Sequence, residues 1–127
     1  MVKPDNVLVI KSSFEEMFRY WLTFLRPVHN LTDREIDVVS GFIRKRYELS
    51  KSILDEGLLD KNLMNESTKR SIRDECGLTV SHFQIILSKL KKKKVIVDNK
   101  ISPKYIPRIK ENAKGLQLLI YFQMDGL

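Results

Sequence analysis

The densest chemistry in this sequence is a run of cations. Residues 88–101 read SKLKKKKVIVDNKI, with Lys91 to Lys94 consecutive between a helical pattern and a short β-branched run. Ammonium groups at such a place can do two things. They offset the partial negative charge at a helix C-terminus, or they neutralise the phosphates of a nucleic acid and release its counterions. Four consecutive residues cover a full helical turn, so they do not all face one ligand. The spacing turns Lys89, Lys92 and Lys93 towards one side, with Lys100 and Lys104 in the following segment and Arg70 and Arg73 in the preceding one adding to the same field. Lys91 and Lys94 are left to the helix end and to solvent.

Other chemistry is sparse. His29 and His82 are the only histidines and Cys76 the only cysteine. They show neither C-x-x-C nor H-x-x-x-H spacing, so no metal site is expected, and surface or capping roles suit both histidines. Cys76 beside Gly77 reads as a small residue packed at a turn, since a nucleophilic thiol needs an aligned base. Asp33, Glu35 and Asp37 crowd a helix start, where carboxylates serve the cap and the dipole. Glu15 and Glu16 read the same way. The sequence has neither G-x-x-x-x-G-K nor G-x-G-x-x-G, which argues against nucleotide hydrolysis and dinucleotide binding. The expectation is a protein that is not an enzyme, with no cofactor, no metal and no small-molecule substrate.

The elements that must position the lysines are well signed. Ser13 to Glu16 is S-x-x-E, a capping box, followed by apolar residues at Phe14, Met17, Phe18, Trp21, Leu22 and Leu25 and closed by Pro27. Thr32-Asp33-Arg34-Glu35 is a second box, with Leu31 and Ile36 spaced as a hydrophobic staple, and opens a helix to about residue 52 with Ile36, Val39, Ile43 and Tyr47 inward. Residues 53–65 read as a loop with one helical turn. Residues 67–75 suit a short helix with Ile72 inward. Cys76 to Thr79 form a turn, with Gly77 fit for a left-handed cap and Thr79 capping the next helix, Val80–Lys92. Val80, Phe83, Ile86, Leu87 and Leu90 are the inner face of that helix. Val95–Ser102 is a hairpin about Asp98-Asn99, residues that tolerate positive φ. Val7–Ile10 and Leu116–Met124 read as strands at either end.

Short helix, glycine turn, longer helix with a basic end, then hairpin: over residues 31–106 this order resembles a winged helix-turn-helix domain. The resemblance implies Val80–Lys92 as the recognition helix and Val95–Ser102 as the wing. Such domains carry glycine where the recognition helix stops; here Lys93 or Lys94 stands there, at a cost of about 1 kcal/mol in a left-handed cap. The whole chain, through FRYWLTFLRPVHNLTDREIDVV and the segment after it, also resembles small proteins of crAss-like tailed phages. That resemblance implies a phage protein of the particle or of genome handling, in the host cytoplasm or the virion. The fold class expected is α+β, mainly helical. It is one domain over 1–127: an N-terminal strand and aromatic helix (1–30), a winged-helix core (31–106) and a C-terminal strand (107–127).

Composition narrows the partners. Of 127 residues 43% are hydrophobic and 31% charged, with net charge +7. No apolar run reaches the roughly 20 residues that span a bilayer, and Val7 to Ile10 is too short for a signal peptide. Residues 1–66 hold 10 Lys+Arg against 11 Asp+Glu, and residues 67–127 hold 13 against 5. A polyanion is therefore expected on one side only. For base reading, the outer positions early in the longer helix are Ser81, His82, Gln84, Ile85 and Ser88. Gln84 suits adenine and Ile85 a thymine methyl, but no arginine is there for guanine. Ile85 suits a protein contact equally well. The first helix holds Phe14, Phe18, Tyr20, Trp21 and Phe24, five of the chain's 11 aromatics. Its apolar arc is about 200° wide, beyond what one core needs. Either residues 116–124 cover the second side, or Tyr20 and Phe24 meet another subunit.

Two functions stay open. One is a structural or connector subunit of a virion, holding other subunits (as a homo-oligomer or a phage assembly) and touching DNA without reading it. The other is a dimeric regulator that places Val80–Lys92 in the major groove of double-stranded DNA.

Overall fold

The computed structural model describes residues 8–109 and 114–126. Helices build most of it: α1 (Phe14–Phe24), α2 (Arg26–His29), α3 (Asp33–Ser50), α4 (Glu56–Leu63), α5 (Glu66–Glu75) and α6 (Val80–Lys92). The antiparallel pair β1 (Ile96–Val97) and β2 (Lys100–Ile101) follows, and a single 3-10 turn at Pro103–Tyr105 comes next. The fold is mainly helical with a small two-stranded sheet.

The caps work as their residue types dictate. The Ser13 hydroxyl accepts from Glu16 N, and Thr79 from His82 N. At Thr32 the box is complete: its hydroxyl accepts from Glu35 N, and Glu35 Oε1 accepts from Thr32 N at 2.9 Å. The staple residues Leu31 and Ile36 are both buried, as are Leu78 and Phe83. Helix α3 is the hub, packing against α1, α4, α5 and α6. Phe18 and Leu22 of α1, Val39 and Phe42 of α3, Ile72 of α5 and Leu87 and Leu90 of α6 share one core with Val95, Ile101 and Tyr105. Gly41 allows α5 to approach α3: a Cβ there would lie 3.1 Å from Ile72 Cγ2.

Several expectations are corrected. Residues 53–65 hold a two-turn helix, α4, started by Asp55, whose carboxylate accepts from Leu58 N. Pro27 does not simply end α1; it sits in the first turn of α2, where its missing N–H costs nothing. The two terminal strands do not form: residues 8–10 and 116–124 have no regular structure, and Val7 lies outside the described residues. A strand is completed by a partner's backbone, and neither segment has one among the described residues. The C-terminal segment also leaves α1 uncovered, so Tyr20 and Phe24 stay exposed.

Candidate nucleic-acid interface

The turn between α5 and α6 sets the pose of the longer helix. Gly77 takes φ +64°, Gly77 N donates to Asp74 O, and Leu78 N donates to Arg73 O. This paired motif ends α5 and lets Thr79 start α6. The far end of α6 closes the same way without a glycine. Lys94 takes φ +60°, its N–H reaches Lys91 O at 3.2 Å, and Val95 N reaches Leu90 O at 3.0 Å. The expected departure at this cap is therefore real, but it changes the residue and not the shape. The buried pair Leu90 and Val95 supplies the hydrophobic contact that accompanies such ends.

Asp98 and Asn99 both have positive φ, 53° and 57°, as a two-residue hairpin turn of the primed type requires. Ile96 pairs with Ile101 and Val97 with Lys100. Strict alternation then turns Ile96 and Ile101 into the core and leaves Val97 and Lys100 outside.

On α6, Phe83, Ile86, Leu87 and Leu90 are buried. At about 100° per residue, the opposite stripe is Ser81, Ile85, Ser88 and Lys92, flanked by Gln84 and Lys91 on one side and His82 and Lys89 on the other. All eight are exposed. Lys89 and Lys92 stand about 60° apart on that face. Lys100 and Lys104 are exposed on the segment after it, Lys104 with its ammonium 5.1 Å from the Tyr105 ring centroid. Arg70 is exposed on α5, whereas Arg73 is half-buried and paired with Asp74 at 3.4 Å.

Lys93 behaves differently from its neighbours. Its Nζ donates to Glu35 Oε1 at 2.7 Å and to the Asn30 carbonyl at 2.9 Å. It therefore ties the end of α6 to the start of α3. Glu35 is only 2% exposed. Burial pushes its carboxyl up, but hydrogen bonds from Lys93 and Thr32, with the charge of Lys93, outweigh this and hold it below the usual range. The same junction contains His29, which is buried and not at the surface. Its Nε2–H donates to Leu22 O at 2.6 Å, and its Nδ1 accepts from Leu31 N at 3.0 Å. Desolvation is the largest influence on this ring and lowers its pKa. A second proton would displace the Leu31 bond, so the folded chain holds it neutral.

The charge pattern is the main electrostatic fact. Residues 80–109 contain eight Lys+Arg and one acid, Asp98. Among the described residues only Lys93 of those eight has a carboxylate partner. Lys89, Lys91, Lys92, Lys94, Lys100, Lys104 and Arg108 have none. Desolvation, with the charge of Asp37, pushes the Cys76 thiol above its usual range. Among the described residues no cluster of three or more His, Cys, Asp or Glu forms a metal site. No described helix is long and apolar enough to cross a membrane.

The sequence reasoning missed the inward turn of Lys93. Nothing local signals it, because Glu35 is 58 residues away in the chain. It also missed the burial of His29, although the Leu22 carbonyl and the Leu31 N–H lie close in sequence. No family model matches this chain, and no curated protein or solved structure matches it.

Proposed function

We propose that residues 31–106 act as a winged helix-turn-helix domain, and that the chain is a non-enzymatic subunit holding double-stranded DNA by its phosphates without reading its sequence. The observation that carries this is the set of seven cations on α6, the hairpin and the segment after it, none with a carboxylate partner among the described residues. A polyanion supplies the missing counter-charge and releases counterions as it binds. The order of α5, turn, α6 and hairpin supports the winged-helix reading, with α6 as the groove-facing helix and β1–β2 as the wing. The small side chains Ser81 and Ser88 permit close approach, but the face offers few groups for base edges. A phage particle or assembly subunit in contact with packaged or passing DNA fits this reading.

The test is fluorescence anisotropy with random-sequence duplexes over a salt series from about 50 to 200 mM. Expected is binding that weakens steeply with salt, with log K falling about 4–5 per log unit of salt if some five phosphates are neutralised. No duplex should be bound more than about tenfold better than another, well short of the usual specificity ratio. Absence of binding at the lowest salt would overturn the proposal. Exposed Gln84 favours a second reading, a sequence-reading dimeric regulator. A selected site bound at least about a thousandfold tighter than random duplex, with the preference lost in Gln84→Ala, would replace the first reading with the second.

A further inference from the structure

The C-terminal segment Leu116–Met124 is strongly apolar and largely exposed, with Leu116 and Leu118 half-buried. Leu119 is 86% exposed, Tyr121 83% and Phe122 81%. No hydrogen bond among the described residues involves positions 114–126. In extended form its side chains sort cleanly. Leu116, Leu118, Ile120, Phe122 and Met124 would share one face, and Gln117, Leu119, Tyr121 and Gln123 the other. It carries no charge between Lys114 and Asp125.

The pattern is also its own mirror image about Ile120. Turned antiparallel on a second copy, Ile120 meets Ile120, Leu119 meets Tyr121, Leu118 meets Phe122, Gln117 meets Gln123 and Leu116 meets Met124. Apolar meets apolar and amide meets amide at every position. At each end the Lys114 of one copy and the Asp125 of the other lie one residue off direct register, so no like charges are opposed. Such self-complementarity is what an isologous twofold interface demands.

We propose that the chain dimerises by antiparallel pairing of Leu116–Met124 with the same segment of a second copy, centred on Ile120. The pairing satisfies both backbones along one edge. Two strands alone are marginal and need a helix against them. Helix α1 offers one: Tyr20, Phe24 and, just beyond, Val28 are apolar and exposed among the described residues. Two paired tails laid on two such strips bury on the order of 1,500 Å² in total, the size of a standard stable interface.

The experiment is mass in solution combined with register-specific cross-linking in the full chain on a Cys76→Ser background. The wild type should be a dimer at tens of micromolar. Ile120→Cys should form an inter-copy disulfide under mild oxidation, because directly opposed residues lie within bridging distance. Leu118→Cys and Phe122→Cys should each fail alone and cross-link when mixed. Ile120→Asp should be monomeric with an unchanged far-UV circular dichroism spectrum, and its melting temperature should lose the rise with protein concentration that a dimer shows. A monomeric wild type would overturn the proposal. So would equal cross-linking by all three cysteine variants, which marks unregistered aggregation, or a disulfide confined to the mixture of Ile120→Cys with another position.

Discussion

Helices α3 and α6 lie together in the core yet carry their charges in opposite ways. Every charged residue of α3 has an oppositely charged partner. Arg19 and Arg34 hold Asp37, Arg26 holds Asp33, and Arg44 and Lys45 hold Glu75, with Arg44 also near Glu48. Arg46 holds Asp60, and Lys93 holds Glu35. Helix α6 carries Lys89, Lys91 and Lys92 and no acid at all. The charges of α3 are consumed in joining helices of the same chain. Those of α6 stand at a helix end that tolerates them, and none has a carboxylate partner among the described residues.

The largest effect should come from the one pair that links the two helices. Glu35→Ala removes the partner of Lys93 and half of the α3 cap. It should destabilise the fold by about 2–3 kcal/mol in urea unfolding. A loss below about 0.5 kcal/mol would show the pair to be a surface one. Acid should attack the same junction. The His29 pKa is lowered on folding, so the unfolded chain takes up a proton first as pH falls below its ordinary 6.5. Stability is full above that pH and declines as pH falls towards the folded value. Glu35, also lowered, adds a decline of the same sign below its ordinary 4.5. Urea midpoints at about pH 7.5 and 5.5 check the His29 part, and His29→Gln should flatten it.

Charge reversal on α6 should separate binding from stability. Lys89→Glu with Lys92→Glu should weaken duplex binding at least about tenfold, ~1.4 kcal/mol, and lower the salt slope by about two. The melting temperature should stay within about 2 °C, because exposed side chains away from the core contribute little. A large fall in stability with unchanged binding would reverse the contrast between the helices. A smaller effect, of the opposite sign, is expected at the cap. Lys94→Gly relieves a left-handed backbone and should stabilise by about 1 kcal/mol, read from the urea midpoint. The smallest belongs to the surface of α3. Glu75→Ala breaks the pairs to Arg44 and Lys45 and should cost about 0.5 kcal/mol, with duplex binding unchanged in the same anisotropy assay.

The helical part of the fold was legible where the signal is local. Thr32 and Thr79 announce their helices by residue type and by the spacing of staple residues, and Asp98-Asn99 announces the hairpin. Helix α4 is only half-signed: Asp55 is a good cap, but Leu58, Leu59 and Leu63 make too short a pattern around Gly57. The end segments show the limit of periodicity. Leu116 to Met124 is an apolar run of strand length, yet a strand exists only when another backbone pairs with it, and nothing in local sequence supplies that. The candidate surface divides the same way. The exposure of Lys89, Lys92 and Gln84 follows from the position of the buried face of α6. The fate of Lys93 depended on a carboxylate that the chain brings back from α3.

Trp21 is the only tryptophan, and its indole N–H donates to the Tyr105 carbonyl at 2.9 Å, fastening α1 to the segment that follows the hairpin. It is half-buried, beside the exposed Tyr20 and Phe24 on the same helix. The molecule therefore carries a single indole reporter at the seam between its aromatic helix and its basic half. Emission should shift to shorter wavelength when an apolar surface closes over that seam, and to longer wavelength when α1 swings free, without any label being attached.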